Sequence, residues 1–233
     1  MCSFQNVTPG KCLALLPAVV TIIFILAGAH AGEYLVQPRH TVTSPDSLFV
    51  IEQRALVEEG EWAWQAWICP AKGGASSYLL LPWQGAEWCW AGDFTISPNG
   101  KYILHIQKTG SGANEGMIFT KRQDGRFVAA ANPQTSGPLL KRAWLYFRFT
   151  LGVDPMLSRG GLAFVSWGLD GDCLEISLHG SDLGGGYAVE DWRLHYNILT
   201  SRFFQTPDQI LHNRGTVVAP VEYIPKATPT SGQ

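Results

Sequence analysis

Charge is scarce in this chain. Only 15% of its 233 residues are Asp, Glu, Lys or Arg, and they leave a net charge of −2. That balance gives no electrostatic reason to expect nucleic acid or an anionic membrane as a partner. Paired Cys or His at ligand spacing are missing too, so no metal and no cofactor is expected. Catalytic residues are not assigned either. The nearest approach to a nucleophile elbow, Gly110-Ser111-Gly112, lacks the preceding spacing. Neither Lys108-Thr109-Gly110-Ser111-Gly112 nor Gly184-Gly185-Gly186 leads into a helical pattern, which excludes a phosphate loop. Asp170, Asp172 and Glu175 make only a fragment of a calcium loop. The Glu190-Asp191 pair and Asp154 read as surface charges rather than as a glycosidase carboxylate pair.

What the chain has in quantity is apolar and aromatic. Nine Trp, eleven Phe and seven Tyr stand in a sequence that is 46% hydrophobic. Burying each large apolar side chain stabilises by roughly 1.5–3 kcal/mol, so a substantial core is available. The 25 Gly and 14 Pro point to many loops, and the length suits a single β-rich domain over residues 32–224.

Residues 1–31 differ from the rest. They hold no acidic residue, one cation at Lys11, and an apolar run from Leu13 to Ala29 broken only by Pro17, Thr21 and Gly28. Ala29-His30-Ala31 before Gly32 has the small-x-small form of a signal-peptidase site, so the segment reads as a secretory signal. The competing reading is an uncleaved anchor, since the run approaches the ~17 residues that can just span a bilayer. The membrane is a partner only under that second reading. The expected location is outside the cytoplasm, periplasmic or extracellular. Cleavage removes Cys2 and Cys12 and leaves Cys69, Cys89 and Cys173. In an oxidising compartment Cys69 and Cys89 can close a loop of about twenty residues, worth roughly 3 kcal/mol. Three buried free thiols are the alternative.

Beyond the signal the chain repeats itself. Phe94-Thr95-Ile96, the turn Ser97-Pro98-Asn99-Gly100 and Lys101-Tyr102-Ile103-Leu104-His105-Ile106-Gln107 read as strand, tight turn and strand. Ser44-Pro45-Asp46-Ser47 with Leu48-Phe49-Val50-Ile51-Glu52-Gln53 repeats this pattern, and so does Gly168-Leu169-Asp170-Gly171 with Cys173-Leu174-Glu175-Ile176-Ser177-Leu178. Downstream, Gly116 to Phe127 matches Trp192 to Phe203, both ending in a turn and then Arg-Phe. Each unit is therefore two hairpins. The expected fold is mostly β, with three antiparallel β-meander units near 44–82, 94–130 and 162–204. An amphipathic helix is expected as an insertion at 138–152, carried by Leu139, Leu140, Ala143, Trp144, Phe147 and Leu151. Residues 32–43 read as a polar lead-in, the stretch after Phe204 as irregular with one short strand at Val217-Val218, and 225–233 as a disordered tail.

These turns and hairpins resemble the blades of WD-type and TolB-like β-propellers, over about residues 44–204. The resemblance implies a partial or small propeller-like arrangement, because three units fall short of the usual four to eight blades. The chain is also similar in character to small exported bacterial proteins of unassigned function.

Six tryptophans, Trp62, Trp64, Trp67, Trp83, Trp88 and Trp90, fall within thirty residues. Flat rings give large contact area at low entropy cost, so these six are the candidate ligand-binding residues, as a platform for a glycan or a peptide. Core filling is the competing role, since alternation puts Trp62 and Trp64 on one strand face and Trp67 on the other. The function expected is a secreted, non-enzymatic binding or interaction module with a glycan or protein partner. An extracytoplasmic hydrolase acting on a cell-wall or polysaccharide substrate is the alternative.

Overall fold

Three turns of one kind set the architecture. In Ser44-Pro45-Asp46-Ser47 and Ser97-Pro98-Asn99-Gly100 the Ser hydroxyl donates to the Asp46 or Asn99 Oδ1, at 2.7 Å in each. The same oxygen accepts the backbone N–H of Leu48 or Lys101 at 3.0 Å. In the third turn Asp170 Oδ1 accepts from Asp172 N at 3.0 Å. The closing residue takes positive φ, +67° at Gly100, +75° at Gly171 and +55° at Ser47. Side chains that bond their own backbone two residues on stabilise such turns locally.

The chain is seen here in a computed structural model that describes residues 34–58, 61–71, 76–80, 88–129, 139–152, 157–182 and 188–218. The expected signal segment and C-terminal tail lie outside the described residues. The compact unit Tyr34–Gln233 is mostly β, with three antiparallel sheets, each a meander of consecutive strands. The first holds β1 (Leu35–Thr43), β2 (Phe49–Glu58), β3 (Glu61–Pro70) and β4 (Tyr78–Leu79). The second holds β5 (Asp93–Ile96), β6 (Tyr102–Gly110), β7 (Ala113–Lys121) and β8 (Phe127–Ala129). The third holds β9 (Leu157–Trp167), β10 (Cys173–Asp182), β11 (Ala188–Asn197) and β12 (Arg202–Phe204), and β13 (Val217–Val218) pairs with β11. The blade-like units thus follow the repeat in the sequence, and the short Val217-Val218 strand forms.

Alternation along the second sheet explains how three sheets make two cores. Ile103 and Phe119, which pair directly, face the first sheet, where they join Phe94, Ile96 and Phe127 against Phe49, Ile51, Ala66, Ile68 and Leu80. Their neighbours Leu104 and Ile118, with Tyr102, face the third sheet. There they meet Leu162, Leu174, Ile176, Leu178, Trp192, Leu194 and Tyr196. Sheet two is therefore apolar on both faces.

Side-chain amides bridge the seams in a recurring way. Across the first, Gln53 binds both backbone groups of Gly92, accepting its N–H at 2.9 Å and donating to its carbonyl at 2.8 Å. Across the second, Asn114 does the same to Leu162, at 2.8 and 2.9 Å. The turns also touch in line. A Cβ on Gly100 would sit 3.5 Å from Asp46, and one on Gly171 would sit 2.6 Å from Asn99, whose Nδ2 donates to the Asp170 carbonyl.

Helix α1 (Leu139–Leu151) is the expected insertion, between the second and third sheets in sequence. It buries Leu139, Ala143, Trp144 and Phe147 in the second core. Its first turn carries no acid, and Glu115 of β7 supplies the missing acceptor, taking the Leu140 N–H at 3.0 Å. At the other end Gly152 at φ +67° donates to the Arg148 carbonyl.

Two expectations are corrected. Residues 32–43 are not a lead-in: Leu35–Thr43 is the edge strand of the first sheet, irregular between Val36 and Thr41 where Pro38 interrupts pairing. Little of it is buried, so its alternation is faint. The stretch after Phe204 contains a second helix, α2 (Pro207–Asn213), opened by a capping box between Thr206 and Gln209 with Pro at its first position. Its Asn213 clamps Arg193 of β11 through both backbone groups, each at 2.7 Å.

Candidate functional site

The first seam carries a cleft of about 420 Å³ at the end where the turns lie, lined by Phe49, Ile68, Pro70, Tyr78, Lys121 and Phe127 among others. Its residues come from both sheets. Phe49 starts β2, Pro70 ends β3 and Tyr78 starts β4, while Lys121 ends β7 and Phe127 starts β8. The floor is aromatic: the Phe49 and Phe127 rings are 5.2 Å apart. Tyr78 closes one side, its hydroxyl accepting the Phe127 N–H at 2.8 Å. Burial pushes the Tyr78 phenol pKa up, which keeps it protonated and able to donate.

Two cations are held at this cleft by the same rings. Arg126 lies 4.7 Å over Tyr78, and Lys121 Nζ is 5.9 Å from the centroids of both Phe49 and Phe127. Cation–π contact fixes long side chains that would otherwise range through solvent. Asp124 and Gly125 of the β7–β8 turn complete the rim. The arrangement suits a ligand with an apolar body and an anionic end, and 420 Å³ falls in the size range of small-ligand sites.

The four tryptophans placed among the described residues do not form one surface. Trp64 is buried and stands edge-on to His40 at 5.4 Å. Trp67 points to the opposite face of β3, under Arg54 at 4.5 Å, with its Nε1 donating to Gln65 at 3.0 Å. Trp88 is half-buried and packs against the His105 ring at 4.6 Å. Trp90, 43% exposed, sits under Lys108 at 5.7 Å. The Trp62 side chain and Trp83 lie outside the described residues. Period-2 geometry puts Trp64 and Trp67 on opposite faces of β3, while Trp88 and Trp90 lie on the segment before β5, against His105 and Lys108 of the second sheet.

Cys69, Cys89 and Cys173 are free thiols. Trp88 pairs with Trp64, so Cys89 is set beside β3 at a level five or six residues from Cys69. At 3.3 Å per residue that is roughly 16–20 Å, beyond the reach of a disulfide. The expected Cys69–Cys89 bridge does not form in this arrangement.

On the outer face of the third sheet Ser166, Glu175 and His195 do come together, in a row across β9, β10 and β11. Their hydrogen bonds run in the wrong order for nucleophilic catalysis. Ser166 donates to Glu175 Oε2 at 2.9 Å, Gln209 donates to Glu175 Oε1 at 2.8 Å, and His195 Nδ1 faces Gln209 Oε1 at 2.9 Å. Burial acts to raise the Glu175 pKa, but bonds from Gln209 and Ser166, with His195 and Arg193 nearby, hold it below the ordinary carboxylate value. Glu175, held below the ordinary carboxylate value, is a weak base for the Ser166 hydroxyl, and the His195 ring does not reach that hydroxyl through any of these bonds. The row serves to seat α2. Among the described residues no group of His, Cys, Asp and Glu is arranged to hold a metal.

His105 is a different case. It is fully buried between Phe94, stacked at 4.2 Å, and Trp88, and neither ring nitrogen has a hydrogen-bond partner. Burial drives its pKa down to about 3, only slightly opposed by the nearby Gln107 amide. A neutral, unpartnered imidazole packs there as an aromatic ring.

Sequence reading overlooked the cleft, although part of its signal was present. The Arg126-Phe127 pair belongs to the repeated turn-Arg-Phe ending, and only the fold shows that Phe127 meets Phe49, 78 positions away.

No family model matches the chain, and no curated protein is significantly similar to it. Among solved structures it is similar to a putative TolB from Agrobacterium tumefaciens, at 10% identity and a TM-score of 0.29 over 74% of this chain and 60% of that one. TolB from Acinetobacter baumannii gives 9% identity and a TM-score of 0.27 over 77% of this chain and 43% of that one. The chain thus spans less than two thirds of either protein, and at these scores the likeness lends no weight to a function or a location.

Proposed function

We propose that the protein is an exported, non-enzymatic binding module whose ligand site is the cleft of the first seam. Its ligand is a peptide segment that presents an apolar side chain beside a carboxylate. One observation carries this reading: Lys121 and Arg126 are held over the aromatic rings of a mainly apolar cleft that has Asp124 and Ser76 among its polar lining. Apolar lining gives contact area, and two oriented cations give selection for an anionic group. Export rests on the apolar segment and small-x-small site of residues 1–31. The three sheets, read with the turn pattern, fit a small propeller-like module, a class of fold that commonly presents binding surfaces.

The test is calorimetric titration with short peptides ending in Leu or Phe, each as the free acid and as the C-terminal amide. The acid is expected to bind about tenfold more tightly than the amide, the order of one charge-assisted pair. The double change Lys121→Ala and Arg126→Ala should erase that preference. Equal binding of acid and amide by the unaltered protein would overturn the reading.

A further inference from the structure

The free edge of β8 lets the first-seam cleft read a ligand's backbone as well as its side chain. The Lys121 N–H donates to the Lys101 carbonyl at 2.8 Å and so faces β6, while the Arg122 N–H donates to the Arg126 carbonyl at 2.8 Å and faces β8. Bonded and non-bonded pairs alternate along antiparallel strands. Phe127, which stands opposite Lys121, therefore turns both its N–H and its carbonyl away from β7. β8 is the last strand of its sheet, so both groups lie on an unpaired edge.

Tyr78 holds half of that edge. Its hydroxyl accepts the Phe127 N–H at 2.8 Å, which uses a lone pair and leaves the hydroxyl's own proton to give. Among the described residues nothing accepts that proton, and nothing donates to the Phe127 carbonyl. The edge thus offers one acceptor, the carbonyl, and beside it one donor, the Tyr78 O–H, polarised by a backbone N–H. Arg126 lies 4.7 Å over the Tyr78 ring and adds a cation next to the donor. The acid on the rim, Asp124, has its Oδ1 occupied by the Arg126 N–H at 3.0 Å.

A strand running past this edge would need both backbone groups of Phe127, and the hydroxyl already holds one. A chain that ends there meets no such obstacle. We infer that the cleft receives the free C-terminus of a peptide: its last N–H donates to the Phe127 carbonyl, its terminal carboxylate accepts from the Tyr78 O–H and the Arg126 guanidinium, and its last side chain rests on Phe49 and Phe127. This rests on the reading of the cleft as the ligand site and narrows the ligand from any carboxylate beside an apolar side chain to the α-carboxylate of a chain end. Tyr78 is the residue that makes this choice, because its hydroxyl both blocks a continuing strand and binds the carboxylate.

Calorimetric titration of the full chain with four probes tests the inference. They are N-acetyl-Ala-Ala-Leu as the free acid, its C-terminal amide, the acid with its last amide N–H replaced by an ester oxygen, and N-acetyl-Ala-Leu-Glu amide, whose carboxylate is on a side chain. The ester and the Glu peptide are each expected to bind about tenfold more weakly than the free acid, the size of one lost hydrogen bond. Tyr78→Phe should weaken binding of the free acid about tenfold and of the amide less, with thermal unfolding used to show that the variant is folded. The ester needs no altered protein, so the test stands even where Tyr78→Phe does not fold. If the free acid outbinds the amide but the ester or the Glu peptide binds as tightly as the free acid, this inference is overturned and the cleft reading is kept. A folded Tyr78→Phe protein that retains full affinity for the free acid overturns it too. Equal binding of acid and amide overturns the cleft reading, and the inference with it.

Discussion

The two seams of this molecule are built from the same repeat and end differently. In the first, Phe127 faces an open cleft beside Phe49. In the second, the matching residue Phe203 is covered by two side chains of α1, with Tyr146 at 5.8 Å and Arg142 at 5.5 Å. The inserted helix has filled, in one seam, the space that stays open in the other. A repeat can thus keep its framework and specialise its interfaces, one for ligand and one for packing. The amide clamps are shared by both seams, which marks them as framework. The unpartnered His105 belongs to the first seam alone.

The largest expected break in this contrast is Phe147→Ala. Phe147 is fully buried and packs edge-on to Trp192 at 4.9 Å in the second core. Its loss should cost about 3–5 kcal/mol in urea unfolding. Binding in the first-seam cleft should survive wherever the protein is folded, and parallel loss of binding by a folded Phe147→Ala protein would show that the seams are not separable.

Acid should act on the first seam through His105. Its folded pKa, about 3, lies below the unfolded value near 6.5, so the unfolded chain binds the proton first. Stability is complete above about pH 6.5 and falls by up to about 1.4 kcal/mol per pH unit as the pH drops from there towards 3. Denaturant titrations of wild type and His105→Leu at pH 7 and pH 4.5 check this. The variant should lose much less stability between the two pH values, and identical slopes would count against the buried neutral ring.

Smaller still is the effect of Gln53→Ala, which strands both backbone groups of Gly92 and should cost about 1–3 kcal/mol. Asn114→Ala at the second seam should cost less, since Asn114 is half-buried and Gln53 is buried. Equal shifts in the urea midpoint would mean that water does not reach the second clamp.

How much of this was legible follows from where each signal lies. The three units could be read because Asn99-Gly100 and Asp170-Gly171 write positive φ into adjacent residues, and α1 because Ala143, Trp144 and Phe147 repeat at one helical period. The strand Leu35–Thr43 was hidden by Pro38 and by exposure, which removes alternation. Helix α2 was overlooked although Thr206-Pro207-Asp208-Gln209 spells a capping box, since seven residues give too short a period to notice. The cleft could not be read at all, because Phe49 and Phe127 become neighbours only when two units pack. The four placed tryptophans are spread for the converse reason: nearness in sequence says little when successive strand residues point apart.

The line of turns gives the array a direction. Asn99 crowds Gly171, where a Cβ would come within 2.6 Å, and Asp46 lies against Gly100. The second turn therefore sets the size allowed at the close of the third, while the first leaves room at the close of the second. Ser47 closes the first turn at φ +55° with a side chain that Gly171 could not carry. Among the described residues no earlier turn stands before it. A Cβ at Gly171 would displace Asn99, whereas one at Gly100 would meet Asp46 at ordinary contact distance.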